Sequence, residues 1–149
     1  MKLNLFKIGK KSKKAFETKL NAKIKNKVLI DFYKLIQKHK NFIIKENKKD
    51  TEVALKKKVR GNLIDRLILN DKKIAQIINS IKKIVKLKDP TNYTLEKWTR
   101  PNGLTISKIS IPIGVIGIIY ESRPNVTADV ASLCFKSGNP VILKGGSEA

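Results

Sequence analysis

The sequence has 149 residues and a formal net charge of +21, and it is long enough for one compact domain with its own core. No apolar run reaches the roughly 18 residues that a membrane-spanning helix needs, and the N-terminus lacks the apolar segment of a secretory signal. The single cysteine, Cys134, excludes an internal disulfide framework. We therefore expect a cytoplasmic protein that does not enter a membrane.

The positive charge lies almost wholly in residues 1–100, which hold 29 basic and 9 acidic side chains. Most of the excess is lysine, in segments rich in Ile and Asn, the residues that AT-rich codons favour. Arginine makes better bidentate contacts to phosphate and guanine than lysine does, and it stands at Arg60, Arg66, Arg100 and Arg123. We expect solvated lysine-rich helix faces and no specific nucleic acid, with a basic helical nucleic-acid-binding module as the alternative.

The first ninety residues have the apolar spacing of amphipathic helices. One predicted helix covers residues 21–45, and a shorter one covers 50–60 with Asp50 or Thr51 as its N-cap. The first helix is expected to turn one face inward, formed by Ile24, Val28, Phe32, Leu35 and Ile36.

Another helix is predicted to begin at Asn70 and Asp71 and to end before Asp89-Pro90, because proline cannot continue a helix. Its inward face carries Ile74, Ile77, Ile78, Ile81, Ile84 and Val85.

Residues 93–111 predict a β-hairpin with one buried face. Tyr93–Trp98 has the composition of a strand, residues 100–103 (Arg-Pro-Asn-Gly) form a turn signal, and Leu104–Ile111 alternates apolar and polar side chains. The hairpin is either a sheet edge or an oligomerisation arm.

The last forty residues predict a βαβ unit. Ile113–Tyr120 is apolar on both faces, as a central parallel strand is. Pro124 opens a helix that runs to about Lys136 with Gly138 in the C′ position, and Val141–Leu143 is a second buried strand. The expected inward face of the helix is Val126, Val130, Leu133 and Cys134.

Ligands of open α/β sheets bind beyond the carboxyl ends of the strands. Here those ends are residues 120–125 and 144–147. The first run leads into a helix N-terminus, where free N–H groups and the helix dipole favour an anion. Arg123 either adds a charge-assisted contact to a phosphate or pairs with Glu121 or Asp129.

Residues 111–149, IPIGVIGIIYESRPNVTADVASLCFKSGNPVILKGGSEA, resemble the γ-glutamyl phosphate reductase family almost position by position. Upstream segments fall in that family's order and spacing: IGKKSKKAF (8–16), LIDRLILN (63–70), KLKDP (86–90) and RPNGLTI (100–106). The sequence therefore resembles that family along nearly its whole length.

The resemblance implies an aldehyde dehydrogenase-like α/β fold. Its expected parts are a helical region over residues 1–90, a hairpin or oligomerisation arm over 91–112, and the βαβ start of an incomplete, Rossmann-like, NADP-binding parallel sheet over 113–149. It also implies that the chain is an N-terminal fragment without the catalytic domain, inactive alone.

The resemblance implies a reaction as well. The family reduces L-glutamyl 5-phosphate with NADPH to L-glutamate 5-semialdehyde and phosphate, the second step from glutamate to proline. A cysteine thiolate, expected outside this chain, attacks the acyl phosphate, and phosphate leaves. Hydride from NADPH then collapses the resulting thioester to the aldehyde. The expected partners are further copies in a homo-oligomer and a glutamate 5-kinase.

The family's site carries over to the strand ends. Lys144 takes the place of the lysine that contacts the adenosine ribose, and Asn125 resembles the asparagine that stabilises an oxyanion. Gly145 and Gly146 let the backbone approach a ligand or form only a turn. The expected cofactor-binding residues are Glu121, Ser122, Arg123, Pro124, Asn125, Lys144, Gly145 and Gly146.

Two residues that invite a chemical role have plainer interpretations. Cys134 lies on an apolar helix face with no nearby cation to lower its pKa, which favours a buried structural thiol. His39 lies among lysines, and one histidine cannot build a metal site.

A third functional alternative is an interaction fragment without activity, joining full-length relatives through its helices and hairpin.

Overall fold

The computed structural model describes residues 4–121 and 123–146 and has an α/β fold, with helices preceding a hairpin and a βαβ unit. Within those residues the elements are α1 (Leu5–Glu17), α2 (Ala22–Lys38), α3 (Lys40–Lys56), α4 (Gly61–Leu67), α5 (Asp71–Lys86), β1 (Thr94–Thr99), β2 (Thr105–Ile109), β3 (Ile116–Tyr120), α6 (Pro124–Lys136) and β4 (Val141–Gly145).

Asparagine begins three of these helices. The side-chain oxygens of Asn4, Asn21 and Asn70 each accept a hydrogen bond from the backbone N–H three residues later, at 3.0, 2.9 and 2.9 Å. Each contact satisfies one of the N–H groups that the first turn of a helix leaves without an intrahelical partner. The predicted starts at Asn21 and Asn70 are confirmed.

The predicted boundaries between residues 38 and 60 are wrong. The first helix ends at Lys38, the chain bends at His39, and α3 then continues through Asp50 and Thr51. The Thr51 hydroxyl donates to the Lys48 carbonyl oxygen at 2.7 Å, as an interior helical threonine does, instead of capping an N-terminus. Neither glycine nor proline interrupts α3, so polar composition alone does not end it.

The predicted inward face of α2 is wrong in part. Lys25 and Leu29 are the buried residues, each 2% exposed, whereas Ile24 and Val28 are each 44% exposed and Leu35 is 54% exposed. Phe32 and Ile36 do pack on the core. The buried stripe is displaced by one residue, because Lys25 finds a carboxylate partner inside the fold.

That partner is Asp89, at the end of the segment that follows α5. The Lys25 ammonium donates to both carboxylate oxygens at 3.1 and 3.0 Å and to the Thr91 hydroxyl at 3.0 Å. Burial raises the pKa of Asp89, but the Thr91 N–H, the Thr91 hydroxyl and the Lys25 ammonium outweigh it, so its pKa lies below the ordinary value. These contacts connect α2 to the start of the hairpin.

A second buried lysine lies nearby. Lys136, 3% exposed, donates to the Asn26 side-chain oxygen at 2.5 Å and to the Val85 carbonyl oxygen at 3.1 Å. Burial lowers its pKa, an effect that the Asp89 carboxylate opposes. The last turn of α6 is thereby fixed to α2 and α5.

The core forms around α5. Its predicted inward isoleucines are buried, with Ile81 fully inaccessible, and they pack against Leu29 of α2 and Ala128 of α6. Val85 is partly buried against the same cluster. The 3.6-residue spacing therefore identified the central helix of the domain.

The hairpin is confirmed, but its predicted buried face is wrong. The strands pair antiparallel, from Thr94 opposite Ile109 to Thr99 opposite Thr105. Every residue of β1 is exposed, and in β2 only Ile106 is partly covered. The alternating pattern reflects a ribbon that projects from the helices, and no described element packs closely on it.

The βαβ unit is confirmed. Strand β3 pairs parallel with β4, and α6 connects them. Gly138 has φ +73°, and a Cβ there would lie 3.2 Å from Pro112 Cγ, so glycine is required both for the backbone and for the space.

The predicted inward face of α6 is wrong in part: Cys134 is buried as predicted and Val126 and Val130 are half-buried, but Leu133 is not. The residues buried on it are Ala128, Ser132, Cys134 and Lys136, whereas Leu133 is 48% exposed. The helix packs mainly on α5 and α2, and this turns Leu133 away from the core.

The division of the chain at residues 90 and 112 into separate regions stays a prediction.

Substitution at Ile81 tests the core. Ile81→Ala removes a fully buried side chain and is expected to lower the free energy of unfolding by about 2–5 kcal/mol, and Ile81→Val by about 0.5–1.5 kcal/mol. Urea unfolding followed by circular dichroism measures both. Ile119→Ala, at a position 82% exposed, is the control, expected within about 0.5 kcal/mol of the parent. Equal losses at positions 81 and 119 would contradict this core.

Asp89→Asn tests the buried ion pair. Removing one partner of a buried pair is expected to cost about 3 kcal/mol at neutral pH. Because the folded-state pKa of Asp89 is lowered, its contribution is complete above the ordinary carboxyl value of about 3.9 and is lost as the pH falls through the folded-state value. Unfolding free energies of parent and variant should therefore converge in acid. A constant difference down to the lowest pH would disprove the pairing, and the exposed Asp31→Asn serves as control.

Candidate functional site

The carboxyl ends of β3 and β4 lie side by side. Ile119 pairs with Lys144 and Tyr120 with Gly145 in the parallel register. The segment that enters α6 therefore begins beside the segment that leaves β4, as the sequence predicted. Of the expected site residues, Ser122 lies outside the described residues, and those placed at this corner are Glu121, Arg123, Pro124, Asn125, Lys144, Gly145 and Gly146.

The two faces of this small sheet differ. The Tyr120 hydroxyl is 2.6 Å from the Thr127 hydroxyl, so the face that carries Tyr120 lies against α6. Lys144 is exposed and shares the opposite face with Ile119, because paired residues of neighbouring strands point to the same side. A ligand contacted by Lys144 would approach from the face that α6 leaves open.

The first turn of α6 is suited to an anion. Pro124 is the first residue of the helix, and the Arg123 N-cap makes no capping hydrogen bond through its side chain. The Arg123 N–H donates to the Glu121 carbonyl oxygen at 2.6 Å, and Asn125 is exposed. The Val126 N–H donates to the Arg123 carbonyl oxygen at 3.0 Å, so the feature that favours an anion here is the positive end of the helix dipole beside an exposed guanidinium.

The alternative in which Arg123 pairs with Glu121 or Asp129 is not supported. Within residues 4–121 and 123–146, the cation near Glu121 is Arg66, with 3.9 Å between Nη1 and Oε2 and both side chains well exposed. Such a pair contributes little stability. It does place a second arginine at the corner, which sequence reasoning missed although LIDRLILN contains one of the few arginines.

A cleft of about 460 Å³ adjoins the start of α6. Tyr120, Pro124 and Thr127 line it from the βαβ side, and Phe32 and Ile36 line it from α2. Its walls are mainly apolar, which is usual for a site that encloses part of a small molecule. The sequence pattern did not predict this cleft, because it forms between elements distant along the chain.

In the part of the chain that the structure describes, no three His, Cys, Asp or Glu side chains come together as metal ligands. The helices in the same part are too short or too polar to cross a membrane.

The same arrangement of helices and strands occurs in solved structures of γ-glutamyl phosphate reductases. The enzyme of Thermotoga maritima matches with a TM-score of 0.94 and 38% sequence identity, over 99% of this chain and 36% of that one. This chain is homologous to the γ-glutamyl phosphate reductases. The Saccharomyces cerevisiae reductase matches with a TM-score of 0.93 and 30% identity, over 98% of this chain and 38% of that one.

Curated sequences agree. The γ-glutamyl phosphate reductase of Nautilia profundicola is 50% identical over 130 residues, which cover 87% of this chain and 32% of the relative. The γ-glutamyl phosphate reductase of Thermodesulfovibrio yellowstonii is 45% identical over 147 residues, which cover 99% of this chain and 35% of the relative. No family model matches the sequence. The chain spans about a third of the length of the curated relatives it matches, and the resemblance found from the sequence is confirmed.

In this γ-glutamyl phosphate reductase homologue, Cys134 does not have the surroundings of a nucleophile. It is 7% exposed, and burial raises the pKa of its thiol. A reactive cysteine needs the thiolate form and access to solvent. Cys134 is a packing residue of α6.

The thiol of Cys134 is therefore expected to react slowly with an aromatic disulfide reagent in the folded protein and rapidly in urea. Release of the coloured thiolate product gives both rates. A native rate at neutral pH as fast as the unfolded rate would mean that Cys134 is accessible and ionised, contrary to its burial.

Proposed function

We propose that this chain supplies the cofactor corner of an NADP-dependent oxidoreductase that reduces L-glutamyl 5-phosphate to L-glutamate 5-semialdehyde and phosphate, in proline biosynthesis. The observation that supports this most strongly is the combination of 50% identity to a reductase sequence and a TM-score of 0.94 to a reductase structure. The structural comparison covers 99% of the chain and so includes the strand ends. When bound, NADPH supplies the hydride.

The residues at the corner fit such a cofactor. The N-terminus of α6 offers the positive end of the helix dipole to a phosphate, and Arg123 adds a guanidinium. Lys144, exposed on the open face of the sheet, is proposed to donate a hydrogen bond to a ribose hydroxyl. Gly145 and Gly146 place no side chain between backbone and ligand. Glu121 and Ser122 belong to the proposed set by their place between β3 and α6.

Asn125 is proposed to act on the substrate. It is the second residue of α6, exposed at the same corner. Its side-chain amide can donate a hydrogen bond to the oxygen of an acyl group that is gaining negative charge. The nucleophilic cysteine is proposed to belong to a part of the enzyme outside these residues, since Cys134 is buried.

The hairpin is proposed as an arm for assembly into a homo-oligomer. Both faces are open, and Leu95, Trp98 and Ile109 are 53%, 42% and 51% exposed, which is costly for a ribbon that stays in water. The partnership with a glutamate 5-kinase and the cytoplasmic location stay predictions. So does the expectation that these residues alone are inactive.

The lysine excess does not favour the nucleic-acid alternative. Apart from the buried Lys25, most lysines of α1, α2, α3 and α5 are exposed. Several lie over aromatic rings or in surface ion pairs, such as Lys10 over Phe6 and Lys40 with Asp71. A basic surface of this kind attracts polyanions without selecting among them.

Arg123→Ala and Lys144→Ala test the proposed cofactor corner. The protein for the assay is a chimera in which this chain replaces the matching segment of the Thermotoga maritima reductase. Each variant is expected to weaken NADPH binding about 10- to 100-fold, the loss typical of a charge-assisted hydrogen bond. Fluorescence titration of bound NADPH gives Kd. Lys83→Ala, on the solvent side of α5, is the control and should leave Kd unchanged. Unchanged Kd in both corner variants would contradict the proposal.

A further inference from the structure

Two buried polar atoms of α6 have no hydrogen-bond partner among the described residues. They are Oδ1 of Asp129 and Oγ of Ser132, and Ser132 is only 1% exposed. Removing a carboxylate oxygen from water costs more free energy when no donor replaces the water than when a hydrogen bond does. Buried oxygens without a hydrogen bond are therefore uncommon in folded proteins. Asp129 Oδ1 is therefore an acceptor that lacks its donor.

Neighbouring cations do not supply that donor. The chain has 33 Lys and Arg side chains, yet no ion pair to Asp129 forms within residues 4–121 and 123–146. Lys136, two turns further along α6, donates to Asn26 and to the Val85 carbonyl oxygen. Arg66 lies at Glu121. In so basic a protein, a half-buried carboxylate whose Oδ1 is closed to solvent and has no partner among the described residues fits a site whose cation comes from a ligand.

The position of Asp129 relates it to the proposed substrate. Asn125 and Asp129 are four residues apart, so they share one face of α6, separated by about 6 Å along the helix axis. In an extended glutamyl group, the acyl carbon and the α-nitrogen are about 5 Å apart by standard bond lengths. An acyl oxygen at Asn125 would therefore place the α-ammonium near Asp129.

We infer that Asp129 binds the α-ammonium group of the γ-glutamyl substrate and so selects for α-amino acids over acyl chains without the amino group. This inference rests on the proposed function, because it takes the substrate from there. The carboxylate supplies the negative charge and the open acceptor. Asp129 is half-buried, and Oδ1 is its oxygen shielded from water, so water does not weaken a contact made there.

The test uses the same chimera with the Thermotoga maritima reductase, assayed in the oxidative direction with NADP and phosphate. The two substrates are glutamate 5-semialdehyde and 5-oxopentanoate, which lacks the α-amino group. The parent chimera is expected to favour the first by about 10- to 100-fold in kcat/KM. Asp129→Asn, which preserves the shape of the side chain, should abolish that preference. Asp129→Glu, which keeps the charge, should retain part of it.

Ser132→Ala is the matched control, because it removes the other buried polar group of α6 without removing a charge. Its preference between the two substrates should equal that of the parent. A parent chimera that turns over both substrates equally overturns the inference, whether or not any variant folds. So does an Asp129→Asn enzyme that loses activity toward both substrates in equal proportion, since a structural role would act that way. Absence of NADP-dependent turnover with either substrate would instead overturn the proposed function itself.

Discussion

The parallel pairing of β3 with β4 is the constraint on which the functional corner depends. Two parallel strands require a crossover between them, and α6 is that crossover. Once Tyr120 is opposite Gly145, the start of α6 and the end of β4 must lie together at one edge. The residues proposed to hold the cofactor and the acyl group are far apart in sequence, and the register brings them to the same place.

The opposite end of the unit is held by buried polar contacts. Lys25 reaches Asp89 and Thr91, Lys136 reaches Asn26 and Val85, and Gly138 fits between Pro112 and Thr91. These contacts involve α2, the end of α5 and the last turn of α6. The amino ends of the strands are thus fixed by the helices, while the carboxyl ends stay accessible. A site needs this combination of rigid support and open access.

Local patterns in the sequence were sufficient to predict the elements that are determined by residues close together in the chain. The isoleucine spacing identified α5, Asn70 marked its start, and Arg-Pro-Asn-Gly marked the hairpin turn. The apolar run of β3 and the Pro124 helix start predicted the βαβ unit and the place of the corner. In each case the spacing of apolar residues, a helix cap or a turn residue determines the type of the element and places its end within a few residues.

The predictions that were wrong concern positions whose burial or partners depend on residues distant in the sequence. The buried face of α2 moved by one residue because Lys25 meets Asp89, more than sixty positions later. The hairpin alternates without burying a face, since alternation predicts a strand but not what covers it. The Arg66–Glu121 pair, and the Asp129 oxygen that has no partner among the described residues, depend on how the helices pack, and no pattern in the sequence predicts that.

We propose that the β3–β4 corner holds the cofactor. A crystal structure of the chimera with the Thermotoga maritima reductase, grown with NADP, tests it most directly. We expect cofactor density on the open sheet face at the ends of β3 and β4. A phosphate should lie within hydrogen-bond distance of the first turn of α6 or of Arg123, and a ribose should lie beside Lys144. Density for NADP elsewhere, with Arg123 and Lys144 both facing solvent, would contradict it.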